Sequence, residues 1–206
     1  MSVERGIEAA GGTACITDDA GAIARADGIV LPGVGAFADA SDTMQERGQL
    51  AVIRERIAAG VPFLGICLGM HLLFEEGMEG APDEDDEESS HNAPGLAVLP
   101  GVVAKMPKTN AAGTACKVPH VGWNTVAFNE DCPLFKGISA GEYFYFTHSY
   151  IAPSGPFVVG ETTHSITFPS AVQYGDACFG VQFHPEKSSD AGAALLRNFV
   201  RIVEGR

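Results

Sequence analysis

Cys67 stands between two glycines in Gly65-Ile66-Cys67-Leu68-Gly69, where an apolar stretch from Val61 to Ile66 gives way to the segment Met70 to Glu76. The first stretch is rich in valine, phenylalanine, leucine and isoleucine and reads as a buried strand; the second reads as a helix. A nucleophile on such a strand-to-helix turn sits in a strained backbone conformation and is displayed at the mouth of a sheet. Glycines on either side remove the Cβ atoms that would clash there. For a cysteine the thiolate is the reactive species, and a helix N-terminus favours its negative charge. Such a nucleophile also needs a base and a group that orients the base. Phe183-His184-Pro185-Glu186 supplies both, at the end of an expected strand from Cys178 to Phe183. Side chains two apart on a strand share a face, so His184 and Glu186 are expected side by side. The carboxylate would hold one imidazole tautomer and stabilise the imidazolium. Together these residues predict a Cys67-His184-Glu186 triad.

Acyl chemistry requires donors for a tetrahedral oxyanion. One source is the backbone N–H of Leu68, just after the nucleophile; another is the turn Pro32-Gly33-Val34-Gly35 at the end of a second buried strand, Gly28 to Leu31. The same turn fits a G-x-G-x-x-A dinucleotide fingerprint through Gly33, Gly35 and Ala38, which stands as a weak alternative. That fingerprint wants an acid at the end of the next strand, where this chain has Cys67. No G-x-x-x-x-G-K run is present to support a nucleotide phosphate site.

The elements that must position these groups alternate. A helix from Ser2 to Ala10 ends at Gly11-Gly12, followed by a short strand from Thr13 to Thr17 and one helical turn from Ile23 to Ala26. A long amphipathic segment, Phe37 to Ala59, precedes the nucleophile strand. Six short β-rich runs follow between Val102 and Phe183, and Ser189 to Val203 closes as a helix. The pattern predicts an α/β fold: a flavodoxin-like, mostly parallel sheet with helices on both faces and appended antiparallel strands. The chain opens on a helix where a doubly wound fold normally opens on a strand, so a first strand is missing from the pattern.

At 206 residues, with 46% hydrophobic and 19% charged residues, the chain suits one globular domain over 1–206. Its formal net charge of −13 disfavours nucleic acid as a partner. No apolar run is long enough to suggest a membrane span, and five widely spaced cysteines suggest neither a disulfide framework nor a zinc cage. A reduced, cytoplasmic protein without metal is expected. Much of the negative charge lies in Asp83 to Glu88, expected as a disordered surface insertion over about 79–92.

Five blocks resemble the class I, triad-type glutamine amidotransferases, and among them the glutaminase subunits of imidazole glycerol phosphate synthase. They are Leu31 to Phe37, Pro62 to Met70, Lys117 to Asn124, Tyr143 to Tyr150 and Gly180 to Ser188. The resemblance implies that Cys67 attacks the side-chain amide of glutamine, that His184 protonates the departing ammonia and then activates water against the thioester, and that Glu186 orients His184. It implies no cofactor. The partner it implies is a (β/α)8-barrel cyclase, joined in a heterodimer, which receives the ammonia in histidine biosynthesis. Gly33, Val34, Gly35, Leu68, His71, Ser149 and Tyr150 are implied around the substrate, and Trp123, Asn124 and Lys187 at the partner interface. Two departures stand out: the family usually carries glutamine at the position of His71, and its first strand with an Asp-Tyr-Gly motif has no counterpart here. A catalytically silent binding subunit and a stand-alone cysteine hydrolase of similar fold are the competing expectations.

Overall fold

The structure, a computed structural model, describes residues 2–82 and 91–205. The acidic run 83–88 lies outside the described residues. In chain order the elements are α1 (Val3–Ala9), α2 (Ala20–Arg25), β1 (Ile29–Gly33), α3 (Phe37–Glu46), α4 (Gln49–Ala58), β2 (Phe63–Cys67), α5 (Leu68–His71), β3 (Phe74–Gly77), β4 (Ala93–Pro94), β5 (Leu99–Lys105), β6 (His120–Thr125), β7 (Ala127–Phe128), β8 (Tyr143–His148), β9 (Tyr150–Ile151), β10 (Val158–His164), β11 (Ile166–Tyr174), β12 (Cys178–Val181) and α6 (Ser189–Val203). The main sheet runs β1-β2-β12-β11-β10-β7. Its β1, β2 and β12 are parallel, and β11, β10 and β7 extend it antiparallel. A smaller sheet runs β4-β3-β5-β9, and β6 and β8 form a separate two-stranded ribbon. This is the α/β arrangement that the alternation predicts.

Strand alternation divides the core between the two faces of the main sheet. Phe63 on β2 packs with Ile23, Met44, Leu50, Ile53 and Ile57 from α2, α3 and α4. Its neighbours Leu64 and Ile66 join Leu195, Leu196 and Phe199 of α6, with Ile7 of α1 against the same cluster. Helices therefore cover both faces and leave the C-terminal ends of β2 and β12 as the place where loops converge.

Three expected elements differ. Thr13 to Thr17 forms no strand: none of its residues joins a ladder, and Ile16 is 78% exposed. Strand propensity does not make a strand without a neighbour to pair with. The segment Phe37 to Ala59 breaks into α3 and α4 at Gly48, whose φ of 69° ends the first helix in a left-handed turn. The helix expected over Met70 to Glu76 is a single turn, α5, after which β3 begins. Tertiary bonds cause this: the N–H groups of Leu96, Ala97 and Val98 donate to the carbonyls of Leu72, Phe74 and Leu73 at 2.7–3.1 Å. Those carbonyls are thus committed to another segment instead of a continuing helix.

Gly69 is the tightest point of the fold. A Cβ there would collide with the Leu31 carbonyl oxygen on β1, and one at Gly65 would collide with the carbonyl of Gly69. We expect Gly69→Ala to cost about 3 kcal/mol, the upper part of the usual range for overpacking. Urea denaturation checks this, and a wild-type midpoint would contradict the packing described.

Candidate active site

Cys67 closes β2 and caps α5 with φ 55° and ψ −107°, a left-handed conformation that a non-glycine residue adopts only under constraint. Gly65 and Gly69 make it possible by letting the backbone of α5 lie against β1 and β2. Because α5 is one turn long, its aligned peptides add little to the electrostatics of the sulfur, contrary to the expectation from a longer helix. The charge comes from side chains instead.

His184 Nδ1 pairs with Glu186 Oε1 at 2.9 Å, with both side chains less than one-tenth exposed. The pairing expected from strand alternation is present, but it arises differently. β12 ends at Val181, and His184 caps a single 3-10 turn, Pro185–Lys187. Pro185 has no N–H to continue a ladder, so the chain curls and brings Glu186 back under the ring. The turn is clamped to β8: His184 N–H donates to the Tyr145 carbonyl at 2.8 Å, and Tyr145 N–H donates to Ser188 Oγ at 3.0 Å. Ser188 Oγ in turn donates to the His184 carbonyl at 2.6 Å.

Burial opposes charge on His184, but interaction with the Cys67 sulfur and the Glu186 carboxylate outweighs it and raises the pKa to about 9. Its Nε2 is buried and makes no strict hydrogen bond. The interaction with sulfur is loose in this state, as acid–base contacts often are before substrate binds. The sulfur itself touches two further groups: the thiol donates to the Thr147 carbonyl at 3.9 Å, and Gln182 Nε2 donates to the sulfur at 3.8 Å. Elsewhere in the core, burial pushes the Cys178 thiol up to about 12, and it also raises Cys132 despite two backbone hydrogen bonds.

The expected oxyanion elements come together. Gly33 pairs with Cys67 across β1 and β2, and a Cβ on Gly33 would press on the Leu68 side chain at 3.0 Å. Gly35 has φ 104° and Val34 is 80% exposed, so the Pro32 to Gly35 turn sits open beside Leu68. These residues border a cleft of about 450 Å³ that also touches Asp39 and Met44 but not Cys67. His71 is 3% exposed and lies 2.7 Å from Gln182 Oε1. Tyr150 is buried in the core, and the Ser149 carbonyl accepts from Met106 N–H at 2.8 Å.

The expected interface residues divide. Trp123 is 51% exposed and meets the Tyr145 ring edge-on at 5.9 Å, and Lys187 Nζ lies 5.8 Å over that ring. Asn124, next on β6, turns to the opposite face, where it donates to the Thr163 carbonyl at 3.0 Å and to His120 Nε2 at 3.4 Å. Behind it stands a hydrogen-bonded histidine pair whose tautomers are dictated: His148 Nδ1–H donates to the Tyr150 carbonyl at 2.8 Å, so its Nε2 accepts from His120 Nδ1–H at 3.0 Å. Gln182, His120 and His148 were not singled out from sequence. Their signal is a polar residue inside an apolar strand run, which must find a buried partner.

Among the described residues, no group of three or more histidine, cysteine or acidic side chains could hold a metal ion, and no helix is long and apolar enough to cross a membrane.

Residues 14–203 match the profile of the family described as glutamine amidotransferase class-I. The imidazole glycerol phosphate synthase subunit HisH of Moorella thermoacetica is 45% identical over 205 residues, covering 98% of this chain and 90% of that protein. The HisH subunit of Salinibacter ruber is 45% identical over 204 residues, covering 98% and 88%. Two solved structures share the fold at low identity. A crystal structure of a glutamine amidotransferase has a TM-score of 0.69 at 19% identity, covering 98% of this chain and 92% of the other. The glutaminase domain of Trypanosoma brucei CTPS with bound acivicin has a TM-score of 0.67 at 17% identity, covering 99% and 87%.

The histidines set a pH optimum for stability. Burial lowers His71 to about 4, against its bond to Gln182, and lowers His148 to about 3, against its bond to Tyr150. Burial and the nearby His164 lower His120 to about 4. From the ordinary value of 6.5 down to these values the unfolded chain binds more protons, so stability falls as pH drops through that window. His184 acts oppositely: its contribution is complete below 6.5 and lost as pH rises towards about 9. The urea midpoint is therefore expected to peak near pH 6.5 and decline on both sides. His184→Asn should flatten the alkaline arm alone, and a profile unchanged by that substitution would contradict the assignment.

Proposed function

This chain belongs to the class-I glutamine amidotransferases, and from that membership we propose that it is the glutaminase subunit of an imidazole glycerol phosphate synthase. It is an enzyme that takes nitrogen from glutamine for histidine biosynthesis. The observation that carries the residue assignment is the left-handed Cys67 facing a buried His184–Glu186 pair whose imidazole holds its proton up to about pH 9. An imidazolium beside a cysteine sulfur favours the thiolate, the nucleophilic form.

In this reading the Cys67 sulfur attacks the side-chain carbonyl carbon of glutamine. The tetrahedral oxyanion is held by the Leu68 N–H and an N–H of the Gly33-Val34-Gly35 turn. His184 gives its proton to the amide nitrogen, the C–N bond breaks and ammonia leaves, so a γ-glutamyl thioester remains on sulfur. His184, now neutral, takes a proton from water as the hydroxyl adds to the thioester carbonyl. The C–S bond breaks, glutamate departs, and the thiolate–imidazolium pair is restored. Glu186 fixes the ring through Nδ1 and balances the imidazolium charge. Ser149 and Tyr150 are proposed to line the substrate site, with His71 standing behind it against Gln182.

The ammonia is proposed to pass, in the cytoplasm, to a (β/α)8-barrel cyclase that docks on the face of Trp123, Tyr145 and Lys187. A half-exposed tryptophan in edge contact with a tyrosine beside a lysine suits a central interface anchor. Asn124 supports this face from behind, through β6.

Cys67→Ala is expected to lower glutamine-dependent synthesis by the assembled enzyme at least about a thousandfold while ammonia-dependent synthesis persists. Glutamate release at the wild-type rate from this variant would remove Cys67 from the mechanism. Trp123→Ala is expected to weaken binding of the cyclase by about 10- to 100-fold with an unchanged melting temperature, as truncation of an anchor does. Titration of the two purified subunits decides it, and unaltered affinity would place the interface elsewhere.

A further inference from the structure

Gln182 is fully buried where β12 gives way to the H-P-E turn, and it has two neighbours of different kinds. Its Oε1 lies 2.7 Å from His71 Nε2, and its Nε2 lies 3.8 Å from the Cys67 sulfur. An amide oxygen only accepts, so in this arrangement His71 is protonated on Nε2 and donates. The two contacts depend on each other. If the amide turned over, His71 would have to carry its proton on Nδ1 so that Nε2 accepts from the NH2, and the amide oxygen would face the sulfur, against a developing negative charge.

We infer that His71 is a positioning residue: by donating to Gln182 Oε1 it fixes the amide so that the Gln182 N–H points at the Cys67 sulfur. The amide then serves as a donor to the thiolate. Neutrality of His71 suits this role, since its buried ring stays uncharged at neutral pH and adds no competing charge beside Cys67. The other titratable groups around the site are His184 and Glu186 from the 3-10 turn and His148 from β8. His120 on β6 and His164 on β10 stand behind His148. The His184 pKa is raised, and its imidazolium and the Gln182 amide both favour negative charge on the sulfur.

This inference rests on Cys67 being the nucleophile, and the experiment separates the two ideas. The full chain is treated with iodoacetamide over a range of pH, and alkylation is followed at the Cys67 peptide by mass spectrometry. His71→Leu and Gln182→Met each remove the donor arrangement. Either is expected to shift the alkylation profile to higher pH and to slow modification at pH 7 about three- to tenfold, the size of one ordinary hydrogen bond. His71→Gln keeps a donor for Gln182 Oε1 and is expected to restore the wild-type profile, which a merely space-filling role would not require. Circular dichroism shows which variants are folded. If His71→Leu does not fold, Gln182→Met and His71→Gln still decide the matter. A wild-type alkylation profile in folded His71→Leu or Gln182→Met overturns the inference. If Cys67 in the wild-type chain reacts no faster than Cys15, which is exposed, the nucleophile assignment itself fails.

Discussion

The close approach of the Gly69 backbone to the Leu31 carbonyl is the constraint on which the site depends. With no Cβ in the gap, α5 lies directly against β1, and the chain must reverse direction within one residue. Cys67 occupies that residue, so its positive φ is a consequence of packing rather than a local preference. The reversal also sets the Pro32 to Gly35 turn beside Leu68, because Gly33 and Cys67 share a register position. One steric condition thereby fixes both the nucleophile and the backbone donors nearest to it. The strain in Cys67 is held by the surrounding sheet and two-sided core, which over-determine the turn.

Around that point the polar groups are satisfied in a directed manner. Asn124 donates to His120, His120 to His148 and His148 to the Tyr150 carbonyl, so every proton in the chain has one address. The arrangement requires neutral rings, and burial keeps them neutral. His184 is the exception, and its charge is tolerated because a carboxylate and a sulfur flank it. The interior thus separates rings that hold structure from the one ring equipped to move a proton. Stacking adds to this: His120 lies between Phe146 and His164 with centroids 4.6 and 4.1 Å away.

Much of this was legible in the sequence, and the exceptions have physical causes. The buried strand over Val61 to Ile66, the Cys67 elbow with its glycines and the adjacency of His184 and Glu186 are all expected from residue type and spacing, although a 3-10 turn and not a strand brings the last pair together. α5 is shorter than the sequence suggests because Leu72, Leu73 and Phe74 have helix-compatible side chains, while their carbonyls are taken by a segment more than twenty residues away. Such long-range competition leaves no local trace. Thr13 to Thr17 failed for the opposite reason, since a strand is defined by its neighbour. Gln182 and the histidine pair are not legible in this way, because a buried polar residue declares only that it needs a partner. Which partner depends on how β6, β8 and the H-P-E turn meet.

Trp123 is the single tryptophan in the chain, and it stands half-exposed on the outer face of the β6–β8 ribbon. Its optical properties follow from that address. Fluorescence excited beyond the absorption of tyrosine comes from this face alone, with no background from indoles in the core. Water at one edge of the ring sets a red emission that shifts to the blue when another surface covers it. The same spectrum reports poorly on events in the helical layers, which carry no indole. The ribbon therefore contains an intrinsic, label-free dye for whatever settles on it, beside the Tyr145 ring and the Lys187 ammonium.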